Sequence, residues 1–196
     1  MGRILALFSQ EGQLVKALKK ADAKAQRQVY DKYSARMLGL CFRYVSDEMA
    51  AEDVMVEGFL KVFSKIDQFN SDGSFEGWIR RIMVNEALGY LRKQKRILED
   101  TLSDDANNIP DYVYADQNLE TEELLKLIET LPVGYRTVFN LYAIEGYAHM
   151  EIAQMLGITE STSKSQLHRA RALLQKMVSD WENDYKKKVA YEEASC

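Results

Sequence analysis

The chain has 196 residues, a mass of 22.6 kDa and a formal net charge of −4. This length allows one ordinary domain or two small ones, and it excludes a large multidomain enzyme. Only 2 prolines and 10 glycines interrupt the chain, and 46% of its residues are hydrophobic, so we expect a folded all-α protein.

Cysteine and histidine usage argues against a disulfide framework, a metal site and a catalytic site. Cys41 and Cys196 are too few for a disulfide scaffold, and neither His149 nor His168 lies in a Cys/His cluster. The apolar run at residues 4–8 is much shorter than a signal-peptide core, and no stretch approaches the ~20 apolar residues of a membrane span. We therefore expect a cytoplasmic, non-enzymatic protein without cofactors and without membrane insertion.

The first two long helices are predicted from apolar residues at spacings of three and four. One stripe comprises Val29, Tyr33, Met37, Leu40, Cys41 and Tyr44. The next helix starts after Asp47, and its buried stripe comprises Met55, Phe59, Val62, Phe63 and Ile66. The opposite face of that helix mixes apolar and charged side chains, namely Asp53, Val56, Glu57, Leu60 and Lys61. Such a mixture fits an ordinary surface, but it is also the composition of a protein-docking face.

A third helix is predicted to begin near Phe75, after a polar loop and with Ser74 as its N-cap. Its buried stripe comprises Ile79, Met83, Ala87 and Tyr90. Arg80, Arg81 and Asn85 are expected to face outward near Phe75 and Trp78. Aromatic rings among basic residues are typical of proteins that bind single-stranded nucleic acid, although both rings could equally fill the core.

Charge changes sign along the chain. Residues 61–98 carry eight basic and four acidic side chains, whereas residues 99–123 carry nine acidic ones and no basic one. The acidic stretch includes Pro110 and lacks apolar periodicity, so we predict an acidic flexible linker at 98–121 between two small helical domains at 10–97 and 122–182. A solvated spacer is the simplest interpretation of that linker.

A helix-turn-helix motif is predicted in the second domain, with a first helix at 149–156, a turn at 157–159 and a second helix at 161–176. Ala153 lies where the helices cross, and Ile158, Leu167, Ala170 and Leu174 close the core. The exposed surface of the second helix presents Ser161, Thr162, Lys164, Ser165, Gln166, His168, Arg169 and Arg171. Such side chains bind phosphates and base edges in a major groove. Ser163 stands where Val or Ile is usual, and it would lose packing unless its hydroxyl bonded to a helix carbonyl.

Three segments in this order resemble the extracytoplasmic-function (ECF) subgroup of bacterial sigma-70-type RNA polymerase sigma factors. Residues 51–63 are similar to region 2.2. Residues 75–87 are similar to region 2.3, with the Trp, Arg and Asn of the family pattern at Trp78, Arg81 and Asn85. Residues 131–139, followed by Glu145-Gly-Tyr and the helix-turn-helix motif, are similar to region 4.

The resemblance implies core RNA polymerase and promoter DNA as partners, and an anti-sigma factor as a further expected partner. It implies that the mixed face listed above docks on polymerase. It also implies that the loop and the helix after it open and read the −10 element, with Asn70, Ser71, Asp72, Gly73, Ser74, Phe75, Trp78, Arg80, Arg81 and Asn85 as candidate residues. The eight exposed residues of the second helix would read the −35 element. From their helical spacing we expect base reading chiefly by Gln166 with Lys164 or Arg169, and phosphate binding by Ser161, Thr162 and Arg171. The acidic linker would run through the RNA exit path of polymerase.

Two other functions are compatible with the same residues. One is a helix-turn-helix regulator that binds an operator without polymerase. The other is a non-catalytic module that binds polymerase or an anti-sigma factor without opening promoters. Of these three functions, only that of a sigma factor predicts specific initiation by reconstituted polymerase.

Overall fold

The computed structural model describes residues 11–70, 73–101 and 121–194. All regular secondary structure within these ranges is helical, and the chain divides into two compact units, Met1–Thr101 and Leu102–Cys196. The predicted all-α class and the two-domain organisation are therefore confirmed. The acidic stretch at 102–120 lies outside the described residues.

The first unit is built on three long helices that pack against one another in all three pairs. Its elements are α1 (11–18), α2 (Ala23–Val45), α3 (Glu48–Ser64), a 3₁₀ turn (Ile66–Gln68) and α4 (Phe75–Thr101). Asp22 and Asp47 begin α2 and α3, where each carboxylate accepts a hydrogen bond from a backbone N–H of the first turn. Helix α4 extends to Thr101, past the predicted start of the linker.

The six residues of the predicted α2 stripe are all buried, which confirms the first predicted core face. Burial raises the pKa of the Cys41 thiol to about 12, so this cysteine stays protonated and unreactive at neutral pH. Helices α3 and α4 approach closely where Gly58 faces Met83. A Cβ atom at Gly58 would lie only 2.2 Å from the Met83 Sδ atom, so any other residue there would force the Met83 side chain to shift. The predicted stripes of α3 and α4 are also buried, except for Phe63 and Tyr90, which are partly exposed.

The second unit contains α5 (Thr121–Glu129), α6 (Val133–Phe139), a π-helix (Asn140–Ile144), α7 (His149–Leu156) and α8 (Glu160–Ala194). Its apolar core joins the end of α5 to the middle of α8 through Leu127, Ile128, Leu131, Ala170 and Leu174. Arg136 ties α6 to α5, since its Nη1 donates to the Glu129 carbonyl at 2.6 Å. Burial raises the pKa of the Glu129 carboxyl, although Arg136 opposes that rise.

The helix-turn-helix motif has the predicted bounds at α7 and at the turn. Gly157 ends α7 with φ +67°, a left-handed conformation that favours glycine. Thr159 begins α8, and its Oγ1 accepts a hydrogen bond from the Thr162 N–H at 3.1 Å. The second helix continues to Ala194 rather than ending near Lys176, because residues 177–194 contain neither glycine nor proline to stop it.

Candidate polymerase and nucleic-acid interfaces

The outward face of α3 is an exposed apolar stripe bordered by acids. Val56 is 46% exposed and Leu60 is 56% exposed, on the side of α3 that faces away from the core residues Met55 and Phe59. Asp53 and Glu57 are exposed beside them, as predicted. Lys61 is only partly exposed, because its ammonium pairs with the Glu86 carboxylate of α4.

Met49 belongs to the same face of α3, and it was not among the predicted residues. It is 78% exposed and lies 7 residues before Val56, which is two helical turns away on one side of the helix. The spacing from Met49 to Val56 and Leu60 was the available signal in the sequence. We name Met49, Asp53, Val56, Glu57 and Leu60 the α3 face.

Three aromatic rings meet where the polar loop leads into α4. The ring centroids of Phe69 and Phe75 lie 5.2 Å apart, and those of Phe69 and Trp78 lie 5.5 Å apart. Phe75 and Trp78 stack at 5.9 Å with an interplanar angle of 17°. Phe75 is fully buried and Trp78 is partly exposed. Because Phe75 is fully buried, it presents no exposed ring face to a base in this structure, and its assignment as a DNA contact stays a prediction. Its ring packs against that of Trp78.

A shallow cavity of about 430 Å³ opens beside this aromatic cluster. It is lined by Gln68, Phe69, Asn70, Gly73, Ser74, Gly77, Trp78 and Arg81. Five of these residues were predicted for −10 DNA, and the structure brings them to one place. Ser71 and Asp72 lie outside the described residues. Arg80 and Asn85 are partly exposed and exposed, respectively, but they do not line this cavity. We name it the Trp78 pocket.

Ser74 fixes the start of α4 at the rim of the Trp78 pocket. Its Oγ accepts a hydrogen bond from the Gly77 N–H at 2.9 Å, and its carbonyl accepts one from the Trp78 N–H at 3.1 Å. The predicted N-cap is therefore confirmed. Since the cap sets the first turn of the helix, it also sets the position of Trp78 and Arg81 along the pocket wall.

On α8, six of the eight predicted DNA-binding residues are exposed, whereas Thr162 and Gln166 are partly buried. The buried side of the helix contains Ser163, Leu167, Ala170 and Leu174. Because successive residues turn by about 100°, Ser165 and Arg169 lie on the side away from this core. His168 and Ser161 flank them on the same exposed surface.

Several of the predicted DNA-binding side chains are already engaged within the unit. The Lys164 ammonium pairs with the Glu160 carboxylate at 2.7 Å, and this contact lowers the pKa of Glu160. Arg171 lies over the Tyr142 ring at 5.6 Å, and Arg169 Nη1 donates to the Tyr135 hydroxyl at 3.3 Å. The hydroxyls of Ser161 and Thr162 both hydrogen-bond with Thr159 Oγ1 in the helix cap.

Gln166 is the predicted residue whose surroundings differ most from expectation. Its amide group lies beside Gly134, since a Cβ atom on that glycine would be 3.7 Å from Gln166 Nε2. This contact turns Gln166 toward α6 rather than toward the outermost line of α8. The side-chain spacing alone did not reveal the neighbouring helix.

Ser163 is fully buried, and its hydroxyl has a different partner from the expected helix carbonyl. The Ser163 Oγ and the His149 Nδ1 lie 2.9 Å apart, which joins the first turns of α8 and α7. The His149 ring stacks on Tyr142 with a centroid distance of 4.5 Å and an angle of 21°. The small serine is therefore accommodated because a histidine ring fills the space and satisfies the hydroxyl.

Comparison with known proteins identifies both units. The family models "Sigma-70 region 2" and "Sigma-70, region 4" match residues 29–97 and 121–174. The chain is 30% identical over 177 residues to the ECF RNA polymerase sigma-E factor of Haemophilus influenzae, with 84% of this chain and 93% of that protein covered. It belongs to the ECF subgroup of the sigma-70 family.

A second ECF relative agrees with this assignment, and a solved structure supports the fold. The ECF RNA polymerase sigma factor SigW of Bacillus subtilis is 29% identical over 178 residues, covering 85% of this chain and 95% of SigW. The sigma factor RpoE of Bartonella quintana, solved in complex with the anti-sigma factor NepR, aligns with a TM-score of 0.53 and 22% identity. That alignment covers 78% of this sigma factor and 96% of RpoE, and it supports the fold.

Two further properties of the described part of the sigma factor bear on its chemistry. None of the described helices is both long and apolar enough to cross a membrane. Among those same residues, no three His, Cys, Asp or Glu side chains are grouped so as to hold a metal ion.

Proposed function

We propose that this ECF sigma factor binds core RNA polymerase through the α3 face, opens the −10 element at the Trp78 pocket and reads the −35 element with α8. The observation that carries the proposal is the presence of a pocket suited to an unpaired base in one unit and a helix-turn-helix motif in the other. A protein that only bound an operator would need the second feature alone.

Docking on polymerase relies on apolar contact at the centre of the α3 face. Val56 and Leu60 provide the apolar area, while Asp53 and Glu57 provide a charged border that favours a basic partner surface. Because Lys61 is held by Glu86, its main effect is to fix α3 against α4 rather than to contact the partner. Met49 extends the apolar contact toward the start of α3.

Strand opening relies on the partly exposed Trp78 ring and on the polar rim of its pocket. A base that leaves the duplex loses stacking, and a ring at the pocket wall replaces part of it. Arg81 is exposed beside Trp78 and supplies a positive charge for the adjacent phosphate. Asn70 and Ser74 at the rim offer hydrogen bonds to the edge of the base.

Reading of the −35 element centres on the outermost line of α8. Ser165 and Arg169 lie on the side of α8 away from the core and are proposed to contact base edges. Ser161, Lys164, His168 and Arg171 lie at the borders of the same surface and are proposed to hold phosphates, together with the helix N-terminus. Gln166 is assigned a supporting role, because it packs beside Gly134.

The acidic linker is proposed to occupy the RNA exit path of polymerase until a transcript displaces it. The support for this role is the charge of the linker, since residues 98–121 carry seven acids and no base. A polyanion competes with RNA for a basic channel.

Regulation and cellular setting follow from the same assignment. We propose a non-catalytic protein that acts in the cytoplasm, where polymerase works. We also propose that an anti-sigma factor holds it inactive, with support from RpoE of Bartonella quintana, which was solved with one bound.

Run-off transcription tests the proposal as a whole. The chain is combined with core polymerase and with genomic fragments, and specific start sites are expected only when both proteins are present. Duplex binding by the chain alone, with no polymerase-dependent start sites, would instead identify an operator-binding regulator. Polymerase binding without initiation would identify an interaction module.

The Trp78→Ala variant tests the pocket separately. It should bind polymerase normally, initiate poorly on duplex promoters and recover on templates with a pre-opened bubble, since stacking contributes about 1–3 kcal/mol per base. Trp78→Phe keeps a ring and serves as the matched control. Equal defects of Trp78→Ala on both templates would contradict a role in opening.

A further inference from the structure

Helix α1 and the turn that follows it contact both sides of the Trp78 pocket, although they precede it by 50 residues or more. Glu11 Oε1 accepts a hydrogen bond from the Phe75 N–H at 3.2 Å, across 64 residues of sequence. Lys19 Nζ donates to the Phe69 carbonyl at 3.4 Å, across 50 residues. Phe69 and Phe75 stand on either side of the polar loop, and both rings contact Trp78.

The Glu11 contact has a specific effect on the start of α4. The first backbone N–H groups of a helix have no partner within the helix. The Ser74 side chain satisfies the N–H of Gly77, and the Glu11 carboxylate satisfies that of Phe75. A negative charge at this end of α4 also interacts favourably with the helix dipole. Glu11 and Ser74 together therefore hold the first turn that carries Trp78.

The contact made by Glu11 of α1 and the contact made by Lys19 of the following turn differ in strength. Glu11 is partly buried, and its hydrogen bond is charge-assisted at the acceptor. Lys19 is exposed, and its hydrogen bond is longer. Glu11 is consequently the residue whose loss should matter more.

We infer that α1, with the turn that follows it, is a brace for the Trp78 pocket, in which Glu11 is the principal positioning residue and Lys19 a secondary one for promoter opening. This inference rests on the proposed role of the pocket. It adds a part of the chain that precedes both matched family regions, which begin at residues 29 and 121. Neither Glu11 nor Lys19 lines the pocket itself.

The brace is tested first in the free full-length chain by amide hydrogen exchange. Glu11→Ala should speed exchange at Phe75 and Gly77 about fivefold, the factor that corresponds to one net hydrogen bond. Glu11→Gln keeps an acceptor oxygen and should restore most of the protection. Gln13→Ala, at an exposed site on the same helix, is the matched control and should leave the exchange unchanged. Wild-type exchange in Glu11→Ala would overturn the brace.

Promoter opening is then measured with core polymerase on duplex and pre-opened templates. Glu11→Ala should slow open-complex formation on duplex DNA about fivefold, with recovery on the bubble and in Glu11→Gln. Lys19→Ala should show a smaller defect, and Lys20→Ala, its exposed neighbour, should show none.

Trp78→Ala in the same assay distinguishes a failure of the inferred brace from a failure of the proposed pocket function. If it slows opening while Glu11→Ala opens DNA at the wild-type rate, the positioning role of α1 is overturned. If Trp78→Ala itself has no effect, the proposed function of the pocket fails, and the promoter role of α1 fails with it. Equal slowing by Glu11→Ala on duplex and bubble would also overturn the inference, because it would indicate a general loss of fold.

Discussion

Removal of the Leu60 side chain should weaken polymerase binding with little change in stability. Full burial of a leucine or valine contributes about 1.5–3 kcal/mol. Leu60 is 56% exposed and Val56 is 46% exposed, so roughly half of each residue remains for a partner to bury. Each residue then contributes about 1 kcal/mol to binding, which is about fivefold in Kd.

Three variants separate these contributions. Leu60→Ala should raise the Kd for core polymerase about fivefold, and Val56→Ala with Leu60→Ala should raise it about 30-fold. Leu60→Asp also places an unpaired carboxylate in the apolar contact, and the added cost of about 2 kcal/mol or more predicts at least about 100-fold. The free energy of unfolding should change by less than about 1 kcal/mol in Leu60→Ala, because the lost contacts are mainly outside the core.

The assay is a titration of labelled chain with core polymerase, accompanied by thermal unfolding of each variant. Gln28→Asp adds the same charge at an exposed position of α2 and is the control for nonspecific charge effects. Wild-type binding by Leu60→Asp would refute docking through the α3 face. A loss of more than about 2 kcal/mol of stability in Leu60→Ala would show that Leu60 belongs to the core.

Four further predictions concern the second unit and the linker. Ser163→Ala should lower the free energy of unfolding by about 1 kcal/mol in chemical denaturation, because it leaves the Nδ1 of the partly buried His149 without its partner. Burial raises the pKa of Glu129 in the folded chain above its value in the unfolded chain, so wild type loses stability as pH rises above 4.5. Glu129→Gln should abolish this pH-dependent loss and therefore raise the melting temperature at pH 7. In a promoter-library selection with polymerase, Arg169→Ala should relax preference at one −35 position at a cost of about 1–3 kcal/mol, and Gln166→Ala should have a smaller effect; the reverse order would restore Gln166 as the chief reader. Neutralising the acids at 99–116 should change the yield of abortive transcripts but not the affinity for isolated promoter DNA, and unchanged transcription would indicate a simple spacer.

Features set by local sequence were predictable. The spacing of Val29, Tyr33 and Met37 is sufficient to place the α2 core face, because a helix repeats every 3.6 residues. The cap at Ser74 and the glycine that ends α7 are local as well, and the structure confirms both. The helix-turn-helix organisation was predictable from such local signals, without knowledge of the tertiary contacts.

Features set by tertiary contacts were not predictable from the same patterns. Phe75 and Trp78 have the same spacing from basic residues whether they face DNA or fill the core, and burial alone distinguishes them. The partner of Ser163 lies 14 residues away at His149, on another helix. The contact between Gln166 and Gly134 likewise depends on how α6 packs. The π-helix at Asn140–Ile144 has no signal in the hydrophobic period, and it places Tyr142 beside His149.

The separate hydrophobic cores of the two units have a consequence for engineering. Met1–Thr101 contains the α2–α3–α4 core, and Leu102–Cys196 contains the core centred on Leu127 and Leu174. Since each unit has its own core, a hybrid joined between residues 101 and 121 would keep the internal packing of both parents. Exchange of the second unit with that of a related sigma factor should therefore give a folded chimera that combines two promoter preferences. The division between the cores is the natural junction for orthogonal transcription factors in a synthetic circuit.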